Sequence, residues 1–294
     1  MIKGAFAPFV FLDYNVTTST SSLMTEQLIA GTMPVIMGIL NVTPDSFSDG
    51  GEFNRVDAAV ARALEMQAQG ASIIDIGGES TRPGAQPIDA AQEIERVLPV
   101  IEAIRQQSDI PISIDTSKPA VMQAAVQAGA NLVNDVNALR ADGAVECCAE
   151  LGVPVCLMHM QGEPRTMQQN PQYSDVVNDV RDFLLERVRV CVAAGITENK
   201  IVLDPGFGFG KTLAHNLQIL SRLNELCELN FPVLVGLSRK SMLGAIVDRD
   251  VDQRVIAGVA AGVIAYGKGA RWFRVHDVEE ISDALKICTA LDQV

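Results

Sequence analysis

Short apolar runs alternate with amphipathic stretches along most of the chain. Each run is rich in Val and Ile and ends in a polar residue, as buried parallel strands do. Eight runs are predicted to be strands: residues 35–41, 72–75, 112–115, 132–135, 155–159, 201–204, 233–238 and 272–276. Between them, apolar positions recur at helical spacing, as in Val56, Ala59, Val60, Ala63 and Leu64. The pattern predicts repeated strand–helix units.

Eight such units predict an α/β protein with a (β/α)8 TIM-barrel fold, in a single domain over residues 34–294. A doubly wound sheet is the alternative, but no GxGxxG loop follows the first run. Residues 1–33 contain a Thr/Ser run at 16–22 without hydrophobic periodicity, so we expect a poorly defined N-terminal extension. Barrel chemistry occurs at the carboxyl ends of the strands, which makes the polar residues ending the runs the candidate site.

Charge, apolar length and cysteine usage narrow the class of protein. The 294 residues carry a formal net charge of -13 and no basic run, which argues against nucleic acid or an anionic membrane as partner. The most apolar stretch, residues 255–267, is shorter than the roughly 20 residues that a membrane span needs. Six cysteines without a CxxC pair indicate reduced thiols, so we expect a cytoplasmic protein.

Three strand ends carry a row of hydrogen-bonding groups, Asp115, Asn134 and Asp204. Such a row suits a flat heterocycle with several N–H groups, because buried carboxylates are costly unless donors reach them. Helix capping or a salt bridge is the alternative for any one of the three. Together they predict a ligand site.

Basic residues cluster where barrels often bind phosphate, near strands seven and eight. The loop after the seventh run is Ser238-Arg239-Lys240-Ser241, and strand alternation places Arg274 and His276 on one face of the eighth. With Arg82, these cations are expected to hold a polyanionic leaving group. Ion pairs on the barrel rim are the alternative.

Long loops rich in turn-forming residues follow the first two runs, at 41–51 and 77–84. They combine hydroxyls, acids and glycines, so we expect them to move over the site and complete a metal–phosphate cage. Ordinary polar surface loops are the alternative. After the sixth run, Phe209 lies between glycines, where its ring is expected either to stack on an aromatic substrate or to pack in the core.

The two loops also carry long, specific motifs. Residues 37–51 read MGILNVTPDSFSDGG and residues 77–84 read GGESTRPG. They resemble the two signatures of the dihydropteroate synthase family, and the resemblance covers about residues 35–290. It continues through these segments: 113–119, 134–135, 158–162, 204–211, 236–241 and 274–278.

The resemblance implies a transferase that acts in folate biosynthesis. It would condense 6-hydroxymethyl-7,8-dihydropterin diphosphate with 4-aminobenzoate, giving 7,8-dihydropteroate and pyrophosphate. The resemblance further implies Mg2+ as cofactor, a homodimer, and competition by sulfonamides, which mimic 4-aminobenzoate.

The same resemblance assigns roles to individual residues. Asn41 would bind Mg2+ on the diphosphate, whose oxygens Arg82, Arg274 and His276 would hold. The pterin would be bound by Asp115, Asn134, Asp204 and Lys240. The catalytic set is thus expected to be Asn41, Asp115, Asp204, Lys240, Arg274 and His276. Further substrate-binding positions are Phe47, Thr81, Pro83, Met158, Phe209, Gly236 and Ser241, and the flexible first loop contributes Thr43, Asp45, Ser46 and Phe47.

The chemistry explains why this set contains binding groups and no obvious base. A pterin ring can delocalise a cation onto its exocyclic methylene, so the diphosphate can leave before the amine attacks. Stabilising the departing charge is then the main task. Asp204 is expected to orient the cationic pterin and stabilise it electrostatically.

Three other functions remain open on the sequence. A pterin-binding methyltransferase barrel would share the Asp/Asn row but has no use for a diphosphate clamp. A Schiff-base aldolase would use Lys240 as nucleophile, although nothing identifies a carbonyl substrate. A non-catalytic pterin-binding relative would bind ligand without turnover, and the presence of Asn41 and both loops argues against it.

Overall fold

The computed structural model describes residues 20–43, 52–80, 86–162 and 166–294. In these ranges eight parallel strands form one barrel, and the predicted (β/α)8 fold is confirmed. The strands are β1 (Val35–Asn41), β2 (Ile73–Gly77), β3 (Ile112–Asp115), β4 (Leu132–Asp135), β5 (Val155–Met158), β6 (Ile201–Asp204), β7 (Leu234–Val235) and β8 (Trp272–Val275). Each lies within or beside a predicted run, and β7 is much shorter than predicted.

The barrel closes through hydrogen bonds along the whole strand order. β1 lies between β2 and β8, and neighbouring strands continue in parallel to β6 on one side and β7 on the other. The remaining gap is bridged where the Leu203 amide donates to the Pro232 carbonyl at 2.9 Å, and Leu203 pairs with Val233. The carboxyl ends of all eight strands therefore face one opening.

Helices cover the outside of the barrel in the described ranges. They are α1 (Thr20–Ala30), α2 (Glu52–Ala68), α3 (Ala90–Arg105), α4 (Pro119–Gln127), α5 (Ala144–Leu151), α6 (Val176–Ala193), α7 (Leu213–Ser221), α8 (Asn224–Cys227), α9 (Ser241–Val247), α10 (Val255–Gly267) and α11 (Val278–Leu291). Local signals place several ends: Asp89 caps α3, Asp175 caps α6, and Pro119 begins α4. Within these ranges, no helix combines the length and the apolar character that a membrane crossing requires.

Alternation along the strands divides the core into two parts. Side chains at one phase pack under the helices, and those at the other phase face the barrel axis. The lower inward layer is apolar: Val35, Met37, Ile73, Leu132, Cys156, Val202, Leu234 and Trp272. Nearer the carboxyl ends lies what we call the upper layer: Asp75, Asp115, Asn134, Met158, Asp204, Gly236 and Arg274. The apolar layer supports a mostly polar one, and six of the predicted site residues fall in the latter.

The expected loose extension before Met33 is corrected for residues 20–30, which form α1. This helix closes the lower end of the barrel, where Ile29 joins the lower inward layer. Its Ser21 hydroxyl accepts a hydrogen bond from the Asn131 side chain at 3.1 Å. Hydrophobic periodicity does not reveal α1, because two of its three buried residues are Ser21 and Thr25. Residues 1–19 lie outside the described ranges.

Candidate active site

Arg274 lies at the centre of the upper layer and connects strands that are not its neighbours. From β8 it reaches past β1, so that its Nε donates to Asp75 at 2.6 Å and its terminal nitrogen to Asp115 at 2.6 Å. Burial acts to lower the pKa of Arg274, but the two carboxylates outweigh it and the pKa is raised. The guanidinium therefore remains charged and holds β2 and β3 to β8.

One arginine does not fully compensate two buried carboxylates. Burial, together with the neighbouring Asp75 carboxylate, raises the pKa of Asp115 to about 7 against the opposing pull of Arg274. Asn134 also supports Asp75, because its side-chain nitrogen donates to the two carboxylate oxygens at 3.4 and 3.3 Å. The amide oxygen of Asn134 is thereby turned away from Asp75. The layer therefore concentrates hydrogen-bond acceptors around one arginine.

Asp204 ends β6 on the other side of the layer. One carboxylate oxygen accepts from the Gly206 amide at 2.7 Å, which fixes the side chain against the turn that follows. Burial raises the pKa of Asp204, while the Gly206 amide and Lys240 oppose the shift. Asp204 therefore adds another oriented, buried acceptor to the upper layer.

Lys240 and Phe209 meet above the upper layer. The Lys240 Nζ lies 4.3 Å from the centroid of the Phe209 ring, a cation–π distance. Burial lowers the pKa of Lys240 to about 8, and the nearby Asp204 acts against the shift. Phe209 also packs against a methionine cluster that includes Met158. The partly buried Phe209 ring thus contacts the apolar core and a charged side chain, and its stacking on an aromatic substrate stays a prediction.

The two cations of the loop after β7 have different partners: Arg239 forms an ion pair, and Lys240 belongs to the candidate site. Arg239 donates to Asp277 through its Nε at 3.1 Å and through a second nitrogen, which is the ion-pair alternative for this residue. His276 Nδ1 lies 3.1 Å from the Ser238 hydroxyl. Of the two adjacent cations, only Lys240 is directed toward Phe209 and Asp204.

The remaining predicted residues fall at the rim or outside the described ranges. Asn41 ends β1 and directs its side-chain oxygen to the side of Gly77 where Asp115 also lies. A Cβ at Gly236 would meet no atom within 4 Å, so open space adjoins β7. Ser241 is exposed at the first turn of α9, and Thr43 lies at the edge of a described range. The positions outside those ranges are Asp45, Ser46, Phe47, Thr81, Arg82 and Pro83.

Two residues at this opening received no role from sequence reasoning. Asp75 is the shared partner of Arg274 and Asn134. The sequence does indicate that Asp75 faces the barrel axis, because it lies two residues after the inward-facing Ile73 on the same strand. Lys211 is a buried lysine next to the Gly206–Gly210 turn, and only its unusual burial identifies it. By contrast, Asp135 is one residue out of phase, and its carboxylate binds the amides of the following turn.

Comparison with known proteins places this geometry in a family. The model of the family described as "Pterin binding enzyme" matches residues 37–276. The dihydropteroate synthase of Haemophilus influenzae is 52% identical to this chain over 258 residues, which are 88% of this chain and 94% of that protein.

Solved structures agree with the sequence relatives. A Yersinia pestis dihydropteroate synthase with a sulfonamide drug complex has a TM-score of 0.85 at 52% identity, covering 89% of this chain and 95% of that chain. A Xanthomonas albilineans dihydropteroate synthase in complex with 7,8-dihydropteroate has a TM-score of 0.82 at 47% identity, covering 90% and 98%. Fold, strand-end residues and relatives over nearly the whole barrel agree, and the chain belongs to the dihydropteroate synthase family.

Proposed function

We propose that the upper layer binds the pterin diphosphate of the dihydropteroate synthase reaction and holds it for attack by 4-aminobenzoate. The observation that carries this proposal is the convergence of the buried hydrogen-bonding side chains of Asp115, Asn134 and Asp204 in the upper layer, at one end of the barrel. A pterin ring presents several N–H groups on one edge, which would donate to these side chains. The 7,8-dihydropteroate bound to the Xanthomonas relative supports the same assignment.

The cations above the layer are proposed to bind the diphosphate. His276 and Lys240 lie at the carboxyl ends of β8 and β7, where barrels often bind phosphate, and Arg82 would join them from the second loop. Arg274 would serve twice: two of its nitrogens hold Asp75 and Asp115, and the third is proposed to reach a diphosphate oxygen. Positions proposed to lie near 4-aminobenzoate are Phe47, Thr81, Pro83, Phe209 and Ser241, and Met158 and Gly236 would complete the substrate pocket.

Mg2+ fits this site as a cofactor carried largely by the substrate. Among the described residues, no group of three His, Cys, Asp or Glu side chains is arranged to hold a metal ion. Mg2+ typically uses one or two protein oxygens plus substrate phosphates, and the Asn41 side-chain oxygen beside Gly77 suits that mode. When bound, the ion would neutralise charge on the diphosphate.

The protein's own residues would then divide the reaction between ring and leaving group. As the methylene C–O bond breaks, Asp115 and Asp204 stabilise the positive charge that spreads over the pterin. The negative charge of the departing pyrophosphate is stabilised by Lys240, Arg274 and His276. The 4-aminobenzoate nitrogen forms the new C–N bond and releases its proton afterwards, so no side chain is needed as a base.

Pyrophosphate release tests the proposed function. With Mg2+ present, we expect pyrophosphate release to continue over many turnovers only when both substrates are supplied, and a sulfonamide should compete with 4-aminobenzoate. Pterin binding without turnover would instead support a non-catalytic relative. Borohydride trapping of a carbonyl substrate on Lys240 would support the aldolase alternative.

Replacing Asp204 with asparagine is expected to lower kcat/KM roughly 30- to 900-fold, which corresponds to about 2–4 kcal/mol of activation free energy. The substitution places a donor where ring N–H groups need an acceptor. The melting temperature should change little, because the remaining amide oxygen can still accept from Gly206. Steady-state kinetics and thermal denaturation measure both effects. Asp175→Asn, at the exposed cap of α6, is the control and should keep kcat/KM near wild type.

A homodimer is proposed to form through the outer face of α9 and α10. Helix α10 carries no charged residue, and only part of its apolar surface packs on the barrel. Large apolar side chains that remain 37% to 85% exposed in this region are Ile246, Val247, Val251, Ile256, Val263 and Ile264. Several large apolar side chains exposed in one region are typical of an interface between copies of a protein.

Ile256→Glu is expected to convert the dimer to a monomer at micromolar concentration. By symmetry the substitution buries two unpaired carboxylates in one interface, which costs several kcal/mol. Sedimentation velocity measures the mass. Val192→Glu is the matched control, because Val192 is 40% exposed on α6, the helix that follows β5. Equal dimerisation of both variants would place the interface elsewhere.

The cytoplasm is proposed as the compartment. All six cysteines lie within the described ranges and are free thiols. Free thiols are typical of a reducing environment. The net charge of -13 also disfavours nucleic acid and anionic membranes as partners.

A further inference from the structure

Lys211 carries a buried ammonium group whose nearest partners are all neutral. The residue is 3% exposed. Its Nζ donates to the carbonyls of Gly206 at 2.9 Å, Phe209 at 3.0 Å and His159 at 3.3 Å, and it lies 2.9 Å from His159 Nδ1. Lysine is almost never fully buried without a carboxylate partner. Burial lowers the pKa of Lys211 to about 7, although the nearby Asp204 opposes the shift, so an amino group buried at this cost needs a purpose in the local structure.

The backbone around this ammonium is unusually compact. Gly206 and Gly210 have φ angles of 68° and 61°, in the left-handed region. A Cβ at Gly206 would lie 2.0 Å from the His159 carbonyl oxygen, and one at Gly210 would lie 2.4 Å from that of Gln161. The turn after β6 is thus pressed against the segment after β5. Three carbonyl dipoles converge there, and they would repel one another without the N–H donors of Lys211 between them.

Two residues of this turn, Gly206 and Phe209, bind Lys211 and also contact residues of the proposed substrate site. The Gly206 carbonyl accepts from Lys211, while the Gly206 amide donates to the Asp204 carboxylate at 2.7 Å. The Phe209 carbonyl accepts from Lys211, while its ring lies 4.3 Å below the Lys240 ammonium. Lys211 is therefore connected through Gly206 to Asp204, which is proposed to bind the pterin. It is also bonded directly to the backbone of Phe209, whose ring is proposed to lie near 4-aminobenzoate.

We propose that Lys211 is a positioning residue, which holds the turn after β6 so that Phe209 and Asp204 face the substrates. This inference rests on the proposed function of those two residues. Lys211 itself contacts no substrate in this proposal. It acts through the backbone carbonyls, and its main consequence is the placement of the Phe209 ring.

Lys211→Met keeps the length of the side chain and removes the cation. We expect kcat/KM for 4-aminobenzoate to fall about 10- to 100-fold, because small misplacements of binding groups have effects of that size. Lys200→Met is the matched control: Lys200 also donates to a carbonyl, that of Gly152 at 2.7 Å, but at the opposite end of the barrel. Its kcat/KM should stay within about twofold of wild type.

A double-mutant cycle with Phe209→Ala separates positioning from a general structural role. If Lys211 acts through Phe209, Lys211→Met should lower kcat/KM much less in the Phe209→Ala background than in wild type. Losses that multiply would overturn the inference. If Phe209→Ala alone has wild-type kinetics, the proposed role of Phe209 fails instead, and the two failures are distinguishable.

Lys211→Gln provides the second variant if Lys211→Met does not fold, since glutamine retains two N–H donors. We expect a smaller loss in kcat/KM with the same coupling to Phe209→Ala. A lower melting temperature with unchanged kcat and KM for both substrates would show that Lys211 only stabilises the fold, and would overturn the proposal.

Discussion

Arg274→Ala is expected to lower the free energy of unfolding by about 3–5 kcal/mol, because it leaves buried carboxylates without their counter-charge. Asp75 is fully buried and Asp115 is 9% exposed, so water can replace the guanidinium only in part. Urea unfolding measures the loss. Arg239→Ala is the matched control: its pair with Asp277 lies at the rim with the arginine 37% exposed, and should cost about 1 kcal/mol or less.

The pH dependence of the Arg274→Ala loss gives an independent check. The Asp115 pKa is about 7 in the folded wild type, above its unfolded value, so ionising this group already weakens folding as pH rises. Removing Arg274 raises this pKa further. The deficit of the variant should therefore be smallest near pH 5 and largest above pH 8. A deficit independent of pH would mean that lost packing, and not unpaired charge, explains the effect.

The ion pairs also change what Arg274→Ala should do to ligands. If Arg274 served only the diphosphate, a non-phosphorylated pterin would bind the variant normally. Because Arg274 also holds Asp115, we expect weaker binding of both ligands, with the greater loss for the diphosphate. Calorimetry with the two ligands measures the difference. Normal binding of the non-phosphorylated pterin would show that Asp115 does not need Arg274 for its orientation.

Strand alternation explains why so much of the site could be predicted from the sequence. Once residues 73, 132, 202 and 272 are read as buried strand positions, the inward phase includes Asp75, Asn134, Asp204 and Arg274 two residues later. The sequence therefore identifies the residues that face the barrel axis. The same phase separates Asp135, which faces outward and stabilises a turn.

Partners across the barrel could not be predicted in this way. Periodicity gives the face of a residue but not the residue it meets, and Arg274 meets Asp75 from 199 positions away. The environment of Lys211 also depends on two loops from different strands coming together. Helix α1 was missed because its buried face is largely made of hydroxyl side chains.

Removing divalent cations is expected to abolish measurable turnover, and adding Mg2+ should restore it. A metal ion that neutralises charge on a leaving diphosphate lowers the activation free energy by several kcal/mol. We expect the protein cations alone not to replace this contribution. EDTA should leave the binding of a non-phosphorylated pterin unchanged, because Asp115, Asn134 and Asp204 need no metal to accept its N–H groups. Pyrophosphate release and calorimetry measure the two effects.

Asn41→Ala tests whether the protein contributes an oxygen ligand to that ion. Since the Asn41 side-chain oxygen lies beside Gly77 on the Asp115 side, its loss should raise the Mg2+ concentration for half-maximal activity by about tenfold, or about 1.4 kcal/mol. Asn41→Asp keeps an oxygen at the same place and should retain a low Mg2+ requirement. If Asn41→Ala lowers the maximal rate at every Mg2+ concentration without shifting the midpoint, Asn41 acts on the substrate and not on the metal. Full activity of the wild type in EDTA would exclude the metal role altogether.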